Sequence, residues 1–232
     1  MSVSSRYSRQ IAVKEIGREG QDKLRAGKVL IIGCGALGSR VAMQLSGAGV
    51  GMMGLADFDS IDISNLQRQF FFKTEESGQS KANTLAKRVK DLNPEISVKI
   101  YSELITPQKA RAIYQEYDFI VDATDNPESK RITGRVSREC GKGCCIGGVR
   151  DFSGQVMTFL KDDSRLEEYF GDANAEGFLP CSLSGVFGPA AALCASIQAS
   201  ETLKFLIGST ELLSGQILLF DLLKNKFQKF NL

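Results

Sequence analysis

Three glycines set out the first chemistry in this chain. Gly33, Gly35 and Gly38 read G-x-G-x-x-G, directly after Lys28-Val-Leu-Ile-Ile32 and at the opening of a helix-like stretch, Ser39 to Gly47. In such a loop the first glycine permits a tight turn. The second lets the backbone approach a phosphate, and the third lets the helix pack close. A helix N-terminus behind the turn is an anion site. Asp57 ends a second strand-like run, 24 residues after Gly33, where a carboxylate can hold ribose hydroxyls of an adenosine. The same residues also suit a ligand-free turn and a strand-end cap, so the glycines alone decide nothing.

The charges around them narrow the choice. Asp59, Asn65, Arg68 and Gln69 lie in the polar stretch D-F-D-S-I-D-I-S-N-L-Q-R-Q-F, Lys81 follows, and Asp125 and Asn126 close V-D-A-T-D-N. These are ends of strand-like runs, where open α/β sheets bind ligands. A triphosphate wants Arg and Lys on its oxygens and a carboxylate for magnesium. A dinucleotide pyrophosphate needs less. Spacing leaves NAD and ATP both open, ATP slightly ahead, and a loop of solvated charges remains an alternative.

The elements that must position these residues alternate. Strands are expected at Lys28–Ile32, Val50–Asp57, Ser97–Tyr101, Phe119–Ala123, Cys144–Gly148 and Gln155–Leu160, with a terminal pair at Gln216–Asp221 and Lys226–Asn231. Helical spacing falls between them, at Ser80–Leu92 (stopped by Asn93-Pro94), Pro107–Tyr117, Ser129–Gly141 and Ala190–Leu206. This alternation predicts an α/β class: a Rossmann-like, largely parallel sheet flanked by helices, with antiparallel strands added in the C-terminal third. Residues 1–232 read as one domain. Residues 1–27 form a helical arm, 28–160 a nucleotide-binding core, and 161–232 a crossover loop with the C-terminal elements.

Composition excludes several chemistries. The chain has 232 residues and no histidine, which rules out Ser-His-Asp triads, Cys-His pairs and histidine-ligated metals. A net charge of +2 gives no global pull towards nucleic acid or anionic membrane. No apolar leader opens the chain, and the uncharged run Gly177 to Ser200 is too polar for a membrane span. A cytoplasmic protein with reduced cysteines is expected.

Taken together, Arg6-Tyr-Ser-Arg9-Gln10, G-C-G-A-L-G-S, A-D-F-D-S-I-D-I-S-N-L-Q-R-Q-F, Gly78-Gln-Ser-Lys81, V-D-A-T-D-N and C-S-L-S-G-V-F-G-P resemble the ThiF/MoeB/HesA group, relatives of the ubiquitin-activating enzymes. The resemblance runs from about Arg6 to Asn231 and is closest to the ThiF type. It implies ATP- and magnesium-dependent adenylation of the C-terminal glycine of a ubiquitin-like sulfur carrier with a Gly-Gly tail, of the thiamine or molybdopterin type. By the same resemblance Asp57 binds the ribose, Asn65, Arg68 and Lys81 contact phosphates, and Asp125 holds magnesium. Arg9 reaches the triphosphate of the neighbouring subunit in a homodimer. A sulfur-donor protein is a further implied partner.

The cysteines depart from the group. Many members hold zinc through two C-x-x-C pairs; this chain contains no C-x-x-C, so no zinc is expected. Cys144, Cys145, Cys34 and Cys194 read as packing residues. Cys181 suits either a covalent intermediate with the carrier or plain packing. The Phe70-Phe71-Phe72 triple suits either core or a docking edge. Three rivals stand beside the adenylation reading: a tRNA-modifying dehydratase of the same group, an NAD-dependent oxidoreductase, and an inactive partner subunit.

Overall fold

A computed structural model describes residues 6–161, 163 and 185–232. Its centre is an eight-stranded sheet in the order β3-β2-β1-β4-β5-β6-β7-β8. The strands are β1 (Lys28–Ile32), β2 (Met52–Ala56), β3 (Ser97–Tyr101), β4 (Phe119–Asp122), β5 (Gly143–Arg150), β6 (Ser153–Phe159), β7 (Gln216–Asp221) and β8 (Lys226–Asn231). The first five pair in parallel, and β5 to β8 pair antiparallel. The expected fold class holds.

The helices are α1 (Ser8–Ile11), α2 (Gly17–Ala26), α3 (Gly38–Ala48), α4 (Lys81–Leu92), α5 (Pro107–Tyr114), α6 (Pro127–Glu139) and α7 (Gly188–Ile207). Alternation along β1 explains the two-sided core. Val29 and Ile31 point to a cluster with Val41 and Leu45 of α3, Leu85 and Val89 of α4, and Ala195 of α7. Leu30 and Ile32 point to the opposite cluster, with Ala110 and Tyr114 of α5 and Val136 of α6. Both faces of β1, β2 and β4 are therefore covered, which is why they read as continuous apolar runs, whereas β3 at the edge is half exposed. Each fully buried Leu or Ile side chain contributes about 1.5–3 kcal/mol. That rigid centre fixes the polar loops at its edge.

Caps set several boundaries. Ser80 accepts the Asn83 N–H and starts α4, and Thr106 does the same for α5 at Lys109. The helix expected over Pro107–Tyr117 ends at Tyr114, because Tyr117 turns into the core and is fully buried. The helix expected from Ser129 starts at Pro127, a favoured first helical residue. The strand expected over Cys144–Gly148 extends to Arg150, in a hairpin through Asp151, whose φ is 51°. Residues 162 and 164–184, where the crossover loop is expected, lie outside the described residues. No helix among the described residues is long and apolar enough to cross a membrane.

Candidate active site

The sheet order reverses between β1 and β4, since one connection runs outward to β2 and β3 and the next returns to β4 and β5. A crevice forms beyond the carboxyl ends of strands at such a point. The glycine loop leaves β1 there. Gly33 has φ 86°, and a Cβ on it would lie 2.9 Å from the Ala123 carbonyl oxygen after β4. Gly38 packs so tightly that a Cβ would lie 1.8 Å from the Gly33 carbonyl oxygen. A Cβ on Gly35 would instead face the Gln69 side chain, with Nε2 at 3.3 Å. The first and third glycines thus build the turn, and the second keeps one wall open.

Asp57 follows β2 and braces the loop. Its carboxylate accepts the Cys34 N–H at 2.6 Å and the Asp59 N–H at 2.7 Å. Burial pushes its pKa up, against those two hydrogen bonds and the nearby Lys81 charge. Each oxygen keeps a lone pair for a further donor. Lys81 opens α4, is 6% exposed, and places Nζ 2.8 Å from the Asp59 carboxylate. The positive end of the helix dipole opposes a cation there, and Asp59 offsets it. The ammonium has three donors, and Asp59 uses one.

The loop between β2 and α4 brings the remaining groups. Arg68 donates to the Asn65 side-chain oxygen at 2.9 Å and to the Ser64 carbonyl at 3.4 Å. Gln69 is 4% exposed, and its Oε1 is buried without a partner among the described residues. A buried orphan acceptor costs about 1–3 kcal/mol, while the Nε2 of the same amide is the atom that faces Gly35. Gly35, Asp57, Asp59, Asn65, Arg68, Gln69 and Lys81 therefore lie together at the crevice.

Asp125 is exposed, just past Thr124, whose N atom would lie 3.1 Å from a Gly33 Cβ. It stands at the crevice with no hydrogen-bond partner among the described residues. No group of three or more Cys, Asp or Glu suited to a metal occurs among the described residues. A lone carboxylate suits magnesium, which is held by one or two carboxylates together with substrate phosphates. Asn126 has a different occupation: its side chain accepts the Glu128 N–H at 2.9 Å and caps α6.

Arg9 does not join the site of its own chain. It lies on α1, which is anchored at the far end of α3 through Gln10 donating to the Ala48 carbonyl. The eleven residues of α3 separate that end from the glycine loop by ~16 Å. Cys181 lies outside the described residues. Cys34, Cys144, Cys145 and Cys194 are fully buried, and burial holds the Cys144 and Cys194 thiols up at about 12. They are neutral packing groups. In the phenylalanine triple, Phe72 is core, while Phe70 is exposed.

The sequence reading missed what lies beneath Asp125. Asp122 is fully buried; its carboxylate accepts Thr133 Oγ1 at 2.7 Å, Thr124 Oγ1 at 2.7 Å and Lys130 Nζ at 3.2 Å. Lys130 also donates to the Thr124 and Gly147 carbonyls, both at 2.6 Å. This network ties the loop after β4 to β5. Removing one partner of a buried ion pair costs about 3–5 kcal/mol. Lys130→Met is expected to lose that much stability in urea unfolding. A loss under ~1 kcal/mol would show that the loop relaxes to hydrate Asp122.

The comparisons with known proteins bear on this crevice. The ThiF family pattern matches residues 7–232. This chain belongs to the ThiF family. It is 36% identical over 231 residues to a sulfur carrier protein adenylyltransferase of Thermus thermophilus, covering 97% of this chain and 85% of that protein. It is 33% identical to a probable molybdopterin-synthase adenylyltransferase of Porphyra purpurea, spanning 98% of this chain but 60% of the relative. Among solved structures, Escherichia coli MccB with ATP superposes with a TM-score of 0.84 at 22% identity, over 98% of this chain and 71% of that one. At that identity the likeness concerns the fold alone.

Proposed function

We propose that this ThiF-family protein is an adenylyltransferase that activates the C-terminal glycine carboxylate of a ubiquitin-like sulfur carrier with ATP and magnesium. The observation carrying this reading is the convergence of the glycine loop, Asp57, Arg68 and Lys81 on one crevice. The sulfur carrier protein adenylyltransferase and the probable molybdopterin-synthase adenylyltransferase among its relatives support the substrate class.

The chemistry needs no histidine. The carrier's carboxylate is ionised at pH 7, so its oxygen attacks the α-phosphorus directly. The bond from that phosphorus to the bridging oxygen breaks, and pyrophosphate leaves with the electron pair. The product is an acyl adenylate. Asp57 anchors the ribose, and the open wall at Gly35 admits the phosphates to backbone N–H groups. Arg68 and the free Lys81 donors neutralise charge gathering on the phosphate oxygens. Magnesium held at Asp125 would screen the charge of the triphosphate.

Pyrophosphate–ATP exchange, with and without a Gly-Gly-ended sulfur carrier from the same genome, tests this directly. Carrier-dependent exchange is expected. ATP binding with no exchange from several carriers would move the reading to the tRNA-modifying branch or an inactive partner. NADH binding in place of ATP would select the oxidoreductase.

Arg9 completes the site from a second copy. Its distance from its own glycine loop motivates this part of the proposal. Arg9→Ala and Lys81→Ala homodimers are each expected to be inactive. After random subunit exchange the mixture regains about a quarter of wild-type exchange, because one site in four then holds both residues. No recovery, with exchange verified, would mean that Arg9 acts within its own chain, and an active Arg9→Ala homodimer would place Arg9 outside the chemistry.

A further inference from the structure

Arg40 is the third residue of α3 and is 4% exposed. Its NH1 donates to the Ala36 carbonyl at 2.5 Å, inside the glycine loop, and to the Arg68 carbonyl at 2.6 Å. Its guanidinium carbon lies 4.3 Å from the centre of the Phe70 ring. Its Nε is buried and has no partner among the described residues. Lys81 and Lys130, the other cations near the crevice with little exposure, each face a carboxylate. Arg40 faces none among the described residues, and burial alone lowers its pKa.

The placement is costly. The guanidinium has lost water, sits at the positive end of a helix dipole, and lacks a counter-ion. The Phe70 face and two carbonyl oxygens offset part of that cost. A lone surface arginine would need none of this. A clamp between two loops would need hydrogen bonds but no charge, so an uncharged donor would serve. The charge itself demands an explanation, and an anion in the adjoining glycine loop supplies it.

We propose that Arg40 makes the cradle discriminate nucleotides by charge: it clamps the Arg68 segment onto the glycine loop and holds a positive charge that a polyphosphate neutralises. This rests on the nucleotide reading of the crevice and adds a residue to it. Arg40 acts through the field at the phosphates and through the position of Arg68, so it is a positioning residue. The resulting preference runs ATP over ADP over AMP over adenosine.

The test is calorimetric titration of the full chain with adenosine, AMP, ADP and ATP, for wild type, Arg40→Gln and Arg40→Lys. Wild-type affinity is expected to climb with each phosphate. Arg40→Gln should lose about tenfold for ATP, or ~1.4 kcal/mol, and less than about twofold for adenosine. Its ligand-free melting temperature should stay level or rise, because a buried cation without a counter-ion has gone. Arg40→Lys should keep most of the climb. Equal losses for all four ligands with a lowered melting temperature would make Arg40 a structural clamp only. An unchanged climb in Arg40→Gln, or a flat one in Arg40→Lys, would overturn the charge role while leaving the nucleotide site standing. Should wild type bind none of the four, the nucleotide reading falls first and Arg40 with it.

Discussion

Arg68→Ala is expected to cut carrier-dependent pyrophosphate–ATP exchange by at least about 10²–10³-fold, the usual cost of removing one charge-stabilising donor from a transition state. Its melting temperature should stay near that of wild type. Among the described residues the guanidinium reaches the Asn65 side chain and the Ser64 carbonyl alone, both able to turn to water. No carboxylate among the described residues is left stranded by its loss. The backbone of Arg68 stays pinned, because its carbonyl is held by Arg40 and its N–H by the Asn65 carbonyl. Lys81→Ala should behave alike. Asp59, its partner, has a side chain 52% exposed, so the orphaned carboxylate is hydrated at little cost. Arg68→Lys restores charge without the planar fork and should recover part of the rate. Unchanged exchange in either alanine variant would remove that residue from the phosphate-binding set. Lost exchange together with a collapsed melting transition would mean that the loop, rather than the charge, had been removed.

The contrast between Arg68 and Arg40 shows what the sequence could carry. Arg68 stands in a dense polar stretch after a strand, where position in the fold alone suggests a ligand. Arg40 stands in Ser39-Arg-Val-Ala-Met-Gln-Leu45, where a cation beside an apolar stripe reads as a solvated helix face. One signal was available. It lies two residues past the last cradle glycine, and neither Ala36, Leu37, Met43 nor Gln44 offers an acid at helical spacing. Asp122 and Lys130 were hidden differently. They are eight residues apart across a loop and a helix start, and only the pairing of β4 with β5 folds Lys130 back over Gly147. Strands were far more legible. Lys28–Ile32, Ser97–Tyr101, Gln216–Asp221 and Lys226–Asn231 end where their turn residues end them, because backbone preference and burial agree there. Asn126 belongs to a recognisable motif, yet its side chain is committed to the N-cap of α6. A motif names its residues together, and the fold divides the work among them.

The same division can be measured within the glycine loop. Gly38→Ala is expected to destabilise the fold by ~3 kcal/mol or more, at the upper end of overpacking costs. Its Cβ would sit 1.8 Å from the Gly33 carbonyl oxygen and 3.2 Å from Ile31 Cγ2. The first obstacle is backbone, in a turn already fixed by Gly33 at φ 86° and by the Gly33 N–H bonded to the Ala56 carbonyl. Neither α3 nor β1 can withdraw, because Val41 and Leu45 are fully buried against the sheet. Gly35→Ala should do the opposite. Its Cβ would meet Gln69 Nε2 at 3.3 Å, the far end of a flexible side chain, so stability should change by less than about 1 kcal/mol. The new methyl group would stand on the wall where the phosphates approach the backbone, and ATP binding should be lost. Urea unfolding and ATP titration of the two variants separate the roles. A stable Gly38→Ala protein would mean that the turn has slack that its geometry does not suggest. Undiminished ATP binding by Gly35→Ala would place the phosphates away from that wall.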